Sequence, residues 1–327
     1  MVNLKELTIG VLRGGPSSER DISLLSGEAV LNSLINQGYK TADIILPDVC
    51  DIDFLEEWLL SRLKSCKVDV CFIALHGWFG EDGKIQEILE KAGYIYTGSG
   101  PEASRLAMDK IASRKVFELH EIPVPRWEVY EDIPDVLPQN LQFPVIVKPS
   151  SQGSSVGLSK VDYPSQFLSS LTHALRYDGR AIVEEFISGV ELTVGILNER
   201  PLPVIRIQSR LGIYNYQAKY TPGFTNYIVP ADISQDLTEK AQGYAFKAHR
   251  VLGCRGFSRV DMLYSSKDDE IYVLEVNTIP GLTTSSLLPK AADAVGINFD
   301  KLVEVMLKSA LKTESHVCEI RKAEKAG

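Results

Sequence analysis

The chain has 327 residues, long enough for two or three domains around a substantial core. Hydrophobic residues at 44% and charged residues at 24% are ordinary for a globular chain, and its apolar runs, such as "DIIL" and "VCFIAL", fall far short of the ~20 residues that cross a bilayer. A net charge of −8 argues against nucleic acid as a partner, which needs a basic surface, but leaves room for a small anion held by a few local lysines.

The opening "MVNLKELTIGVL" carries neither a basic leader nor a small-residue cleavage site, so a cytoplasmic location with no membrane association is expected. Its "LTIGVLRGG" predicts a strand ending in paired glycines. "SSERDISLLSGEAVLNSLINQG" predicts a helix whose apolar face is Ile22, Leu25, Ala29, Val30 and Leu34, stopped by Gly38. A strand "YKTADIIL", a helix "IDFLEEWLLSRLK", a strand "DVCFIAL" running into "HGWFGEDG", and a helix "KIQEILEKAG" follow. Alternating strands and helices predict a parallel α/β domain over residues 1–105.

Residues 106–121 predict one helix, ended by the prolines of "EIPVPRW". An α+β central unit extends to residue 190, with a strand "FPVIVK", the loop within "KPSSQGSSVGLSKV", a helix near 164–176 and a strand "AIVEEFI". Residues 191–327 hold strands "ELTVGIL" and "LPVIRIQ", the Gly/Pro/Asn-rich "YTPGFTNYIVPA", a helix over 234–252 and a hairpin around "SSKDDE". A last helix over 299–312 and a loosely ordered polar tail are expected. Cys50, Cys66, Cys71, Cys254 and Cys318 form no CxxC pair and read as small buried hydrophobes rather than zinc ligands or disulfides.

Two stretches suggest chemistry. "FSRVDMLY" and "IYVLEVNTIPG" both alternate, and residues two apart share a strand face. If Asp261 pairs with Glu275, then Arg259, Asp261, Glu275 and Asn277 project together. Two carboxylates and an amide suit a magnesium ion that also takes phosphate ligands, and an arginine beside them suits an oxyanion. A solvent-facing hairpin would show the same alternation, but the small-residue loop "TIPGLTTSSL" that follows favours a functional site. The second stretch is the Gly/Ser loop after Lys148. Its glycines let backbone amides approach an anion, although it lacks the Gly-Lys-Ser/Thr ending of a P-loop. "IVEEFI" sets acids at a strand end, where a carboxylate could accept from an adenine amino group or ribose hydroxyls. A dinucleotide-dependent oxidoreductase is disfavoured because "IGVLRGG" lacks G-x-G-x-x-G and Asp48 follows a proline. A non-catalytic nucleotide-binding module is the other alternative.

The ordered segments "GGPSSERDISLLSG", "ALHGWFGEDG", "YTGSG", "MDK", "FPVIVKPSSQGSSVGLSKV", "VEEFISGVELTV", "YQAKY", "GFSRVDML" and "LEVNTIPGLTTSSLLPKAA" resemble the D-alanine–D-alanine ligase family of ATP-grasp enzymes. The resemblance implies an N-terminal α/β domain followed by two ATP-grasp subdomains that clamp ATP, divided as above. It implies ATP-dependent joining of two D-alanine molecules for peptidoglycan precursors, by a cytoplasmic homodimer. It further implies that Lys110, Lys148 and Lys219 hold the phosphates, with Ser155 also contacting the nucleotide. Glu184 and the backbone of Phe186 and Ile187 would take adenine, and Glu191 the ribose. Asp261, Glu275 and Asn277 would bind two Mg2+ ions, with Mn2+ as a substitute. Glu19 would hold the first D-alanine's ammonium, with His76 near its carboxylate. Ser154 and Tyr220 would join Glu19 in a lid-closing trio, and Arg259 with the Gly281 amide would form an oxyanion hole. Ser286 and the Leu287 amide would receive the second D-alanine's carboxylate. Ser285 departs from the family's usual histidine, Phe186 from a tryptophan seen in some members, and Arg13 from an apolar residue. Tyr220 favours dipeptide formation over ligation to D-lactate, where phenylalanine is found. A D-alanine–D-lactate or D-alanine–D-serine ligase remains the near alternative.

Overall fold

The computed structural model describes residues 4–134, 137–138, 140–209 and 223–324, with side chains as far as residue 311. Strands β1 (Thr8–Gly14), β2 (Lys40–Leu46), β3 (Val70–Ile73) and β4 (Ile95–Tyr96) form a parallel sheet in the order β2-β1-β3-β4. They are linked by helices α1 (Arg20–Asn36), α2 (Ile52–Ser65) and α3 (Lys84–Lys91). A parallel sheet covered on both faces needs apolar side chains on both, and all four residues of β3 are buried. Leu55, Leu59 and Leu63 of α2 pack with Leu12 and Ile44 on one face. Val30 and Leu34 of α1 pack with Ile9, Val11 and Phe72 on the other. Asp51 starts α2 by accepting the Phe54 amide at 3.0 Å.

Helices α4 (Pro101–Met108) and α5 (Lys110–Leu119) lead into an antiparallel sheet of β5 (Trp127–Tyr130), β6 (Val145–Pro149), β7 (Ser159–Val161) and β8 (Ala181–Glu185), in the order β5-β8-β6-β7. Helix α6 (Phe167–Asp178) covers one face, where Phe167 and Leu171 pack against Val145, Val147 and Val183. The third sheet contains β9 (Val190–Leu197), β10 (Arg200–Pro201), β11 (Ile205–Ser209), β12 (Thr225–Ile228), β13 (Phe257–Ser265) and β14 (Glu270–Asn277). Its order is β12-β11-β9-β13-β14, with β10 beside β9. Helix α7 (Gln235–Val251) lays Ala241, Ala245 and Ala248 on Val194 and Ile196. Helices α8 (Leu287–Asp293) and α9 (Phe299–Glu324) bring Leu288, Leu302 and Met306 into the core shared with α1 and β1. A 2.6 Å hydrogen bond from the Ser33 hydroxyl to Asp300 reinforces that contact. The expected fold class, a parallel α/β unit followed by two α+β units, agrees with this architecture.

Four local expectations differ from the structure. The predicted single helix over 106–121 breaks at Asp109, whose ψ of 101° leaves the helical region. Its carboxylate accepts the amides of Ile111 (2.9 Å) and Ala112 (3.1 Å), so a cap outweighs continued helix. Lys110 thereby begins a new helix, with its amide bonded to Ser150 O at 2.9 Å. On α1, Leu25 is 53% exposed, whereas Ser23, Ser26, Gly27 and Ser33 are buried with Val30 and Leu34. The buried serines are hydrogen-bonded: the Ser23 hydroxyl donates to Ala74 O (2.8 Å) and accepts the Gly14 amide (2.9 Å). The C-terminal helix runs to Glu324 rather than 312, through a Lys-, Glu- and Ala-rich sequence without Pro or Gly. Cys71 and Cys254 are buried as expected, but Cys50 is exposed.

Arg13, the unexplained departure, clamps β1 to β2 and α1. Its guanidinium binds both oxygens of Asp43 at 2.7 and 2.6 Å and donates to Leu24 O at 3.1 Å.

Candidate active site

Two cavities open between the sheets and meet each other. The larger, about 360 Å3, lies between the N-terminal sheet and the loop after β14, and contains Glu19, His76, Ser154 and Arg259. Asn277, Gly281, Ser286 and Leu287 complete the predicted residues along it. The smaller, about 180 Å3, lies between the second and third sheets, where Lys148, Ser155 and Asp261 face it. Glu184, Phe186, Ile187 and Glu191 border the same space. Lys110 and Glu275 line both cavities. Lys219 and Tyr220 lie outside the described residues.

The hairpin β13–β14 has the register expected from alternation: Asp261 is opposite Glu275 and Arg259 is opposite Asn277. A bulge follows between Asp261 and Met262, a common device for re-aiming side chains beside a site. Arg259 grips Asp261 through Nε (2.9 Å) and a terminal nitrogen (2.8 Å). Asn277 donates to the same carboxylate at 3.0 Å and Thr193 at 2.6 Å. No group of three or more His, Cys, Asp or Glu side chains arranged to hold a metal occurs among the described residues. The set is instead two carboxylates and an amide, with the cations Arg259 and Lys110 as neighbours. That set fits Mg2+, which dehydrates reluctantly and takes its remaining ligands from water or phosphate.

The lysines arrive from two different elements. Lys110 donates to Gln152 O at 2.7 Å and stands 3.5 Å from Glu275. Lys148, at the end of β6, donates to Glu184 at 2.8 Å, and Glu184 also binds the fully buried Arg114. Burial pushes the Glu184 pKa upward, but Arg114 and Lys148 outweigh it and hold the carboxyl below the usual range. Burial lowers the Lys148 pKa, and Glu184 opposes that shift. Phe186 stacks under Lys160, 4.5 Å from the ring centre, and donates its amide to Pro144 O at 3.3 Å.

In the larger cavity, the Ser154 hydroxyl donates to Glu19. Ser154 and Ser155 both hold left-handed backbone, with φ of 50° and 59°, strain of a kind found at ligand clamps. Two glycines make room for Glu19. A Cβ on Gly77, whose φ is +68°, would lie 2.8 Å from Glu19 Oε2, and one on Gly153 would lie 2.7 Å away. His76, which lines this cavity, has protein partners on both ring nitrogens: Ile279 O and the Ser26 hydroxyl, each at 2.9 Å. Burial lowers its pKa against the attraction of Glu19. At the start of α8, the Ser286 hydroxyl accepts the Thr283 amide at 3.1 Å, which fixes it beside the helix's first free amides.

Sequence reasoning missed Glu81, Ser26 and Arg114. Glu81 accepts the amides of Gly77 (2.8 Å) and Ile279 (3.2 Å), and burial with Glu19 nearby pushes its pKa up to about 8. Within "HGWFGEDG" it reads as a loop acid. The acidic loop next to an expected substrate histidine was the available signal.

Two sheets facing each other across a lysine-lined cleft, with a carboxylate hairpin at its inner end, define an ATP-grasp enzyme. Residues 55–99 match the description "D-ala D-ala ligase N-terminus" and residues 116–308 "D-ala D-ala ligase C-terminus". The chain belongs to the D-alanine–D-alanine ligase family. It is 44% identical over 307 residues to a D-alanine–D-alanine ligase of Syntrophotalea carbinolica, covering 94% of this chain and 97% of that one. Identity to the ligase of Carboxydothermus hydrogenoformans is 42% over 317 residues, 94% of this chain and 99% of the other. The crystal structure of D-alanine–D-alanine ligase from Bacillus anthracis complexed with ATP has a TM-score of 0.81 and 32% identity, covering 95% of this chain and 99% of that one.

Proposed function

We infer that the protein joins two molecules of D-alanine at the expense of ATP, yielding D-alanyl-D-alanine, ADP and phosphate for peptidoglycan precursors. The observation that carries this reading is the meeting of the two cavities at Lys110 and Glu275. A nucleotide in the smaller cavity would there present its terminal phosphate to an amino acid in the larger one.

In this reading Lys110 and Lys148 bind the phosphates, with Lys219 and Ser155 contributing. Glu184, the backbone of Phe186 and Ile187, and Glu191 receive the nucleoside. Glu19 takes the first D-alanine's ammonium and leaves its carboxylate to attack the γ-phosphate, giving an acyl phosphate and ADP. The second D-alanine, its carboxylate held by Ser286 and the Leu287 amide, attacks the acyl carbon through its amine, and phosphate leaves. Arg259 and the Gly281 amide stabilise the oxygen that gains charge. Mg2+ held by Asp261, Glu275 and Asn277 would neutralise phosphate charge. The protein's work is chiefly positioning and exclusion of water, since an acyl phosphate hydrolyses. Tyr220, with Glu19 and Ser154, belongs to the closure of the site. The homodimer and cytoplasmic location expected from the family are part of the same reading; no described helix is long and apolar enough to cross a membrane.

Coupled ADP release tests the function. Turnover that requires D-alanine, with ATP and Mg2+ present, is expected; its absence would refute the assignment.

A further inference from the structure

The loop after β14 carries Gly281, and three side chains from the N-terminal unit hold its backbone on either side. Glu81 accepts the Ile279 amide at 3.2 Å. His76 Nδ1 lies 2.9 Å from Ile279 O, and His76 Nε2 lies 2.9 Å from the Ser26 hydroxyl. That hydroxyl also accepts the Leu282 amide at 3.2 Å. Ser26 is fully buried and His76 is 4% exposed, so water does not substitute for these partners.

Ile279 O can only accept, so Nδ1 carries the ring proton. Nε2 of the neutral ring is then an acceptor, and the Ser26 hydroxyl donates to it while taking the Leu282 N–H on a lone pair. Burial, which lowers the His76 pKa, favours this neutral ring. The relay Leu282 → Ser26 → His76 → Ile279 therefore closes a ring around Pro280 and Gly281. Its serine comes from α1, the helix that begins immediately after Glu19.

We propose that Ser26 is a positioning residue for the ligation step: through His76 and the Leu282 amide it fixes residues 279–282 and aims the Gly281 amide at the acyl oxygen. This rests on the ligase reading above. Ser26 touches neither substrate. Its effect falls on acyl transfer, which uses the Gly281 amide, and spares formation of the acyl phosphate, which does not.

The test uses the full-length enzyme with Ser26→Ala, with His76→Asn, and with both changes. His76→Asn keeps a donor for Ile279 O and removes the arm to Ser26. Two rates are compared: dipeptide formation, and scrambling of 18O from the β–γ bridge of ATP, which reports reversible acyl phosphate formation. Dipeptide formation is expected to fall about 100-fold, the cost of a ~1 Å misplacement. In Ser26→Ala, scrambling and the KM for ATP are expected to stay near wild type, and dipeptide formation in the double variant to fall no further than in the weaker single one. If Ser26→Ala does not fold, Ser26→Cys, which keeps the volume but is a far weaker hydrogen-bond donor and acceptor, gives the same split. Equal loss of both rates, additive losses, or unchanged dipeptide formation would overturn the proposal while leaving the ligase reading intact. A wild-type enzyme with no D-alanine-dependent turnover would overturn both.

Discussion

Lys110 Nζ stands 3.5 Å from Glu275 Oε2 at the seam between the two cavities, one residue from the start of a helix and the other from the hairpin β13–β14. The helix break at Asp109 puts Lys110 there, because a continuous helix would carry no cap and no fresh N-terminus at this point. Replacing Lys110 by Met is expected to lower turnover by about 100-fold or more, the scale of losing one charge-stabilising donor. Glu275→Gln is expected to lower it by orders of magnitude as well. ADP release at saturating ATP, Mg2+ and D-alanine checks both, and near-wild-type rates would show that the seam is not where phosphoryl transfer occurs.

The Arg114–Glu184–Lys148 cluster is buried on every side, with side-chain exposures of 0%, 6% and 9%. Removing Arg114 leaves Glu184 paired with Lys148 but takes away a buried hydrogen bond to its carboxylate, a loss of about 1.5–3 kcal/mol. Arg114→Met is therefore expected to lower the denaturant midpoint and to raise the KM for ATP, since Glu184, the acceptor of Lys148, loses the guanidinium that fixes it. Arg114→Lys should recover part of both. A variant as stable as wild type would mean that Glu184 finds another partner.

Glu81 predicts a pH dependence of stability. Burial raises its pKa to about 8 from an ordinary 4.5, so the native state binds the proton more tightly than the unfolded chain does. Its contribution is fully present below about pH 4.5 and is lost as pH rises through about 8. Unfolding midpoints from pH 5 to 9 should show wild type losing stability relative to Glu81→Gln, which cannot ionise. Parallel curves would place the Glu81 pKa in the normal carboxylate range.

Gly153→Ala would set a Cβ 2.7 Å from Glu19 Oε2. The loop or Glu19 must then shift, and the KM for D-alanine is expected to rise at least several-fold while the KM for ATP changes little. Equal effects on both would indicate that the loop moves as a whole.

The hairpin was readable because a period of two fixes which side chains share a face, and Asp261 does lie opposite Glu275. Lys148 was readable as the end of a buried apolar strand beside a Gly/Ser loop. The buried face of α1 was not, because its closest packing against the sheet uses serines that hydrogen-bond to β1, Ala74 and His76 rather than apolar side chains. Arg114 and Glu81 were equally hidden, since each has a buried partner far away in sequence. Glu184 lies 70 residues from Arg114, and Ile279 lies 198 from Glu81. His76 was legible as a site residue, but not its commitment of both nitrogens to the protein.

The central claim is that one site links ATP cleavage to D-alanine ligation. Product identification tests it most directly, with the purified protein, ATP, Mg2+ and equal D-alanine and D-lactate near neutral pH. D-alanyl-D-alanine is expected as the main product, with one ADP and one phosphate for each dipeptide. Predominant D-alanyl-D-lactate would contradict D-alanine as the second substrate, and no D-alanine-dependent ADP would contradict the coupling of ATP cleavage to ligation.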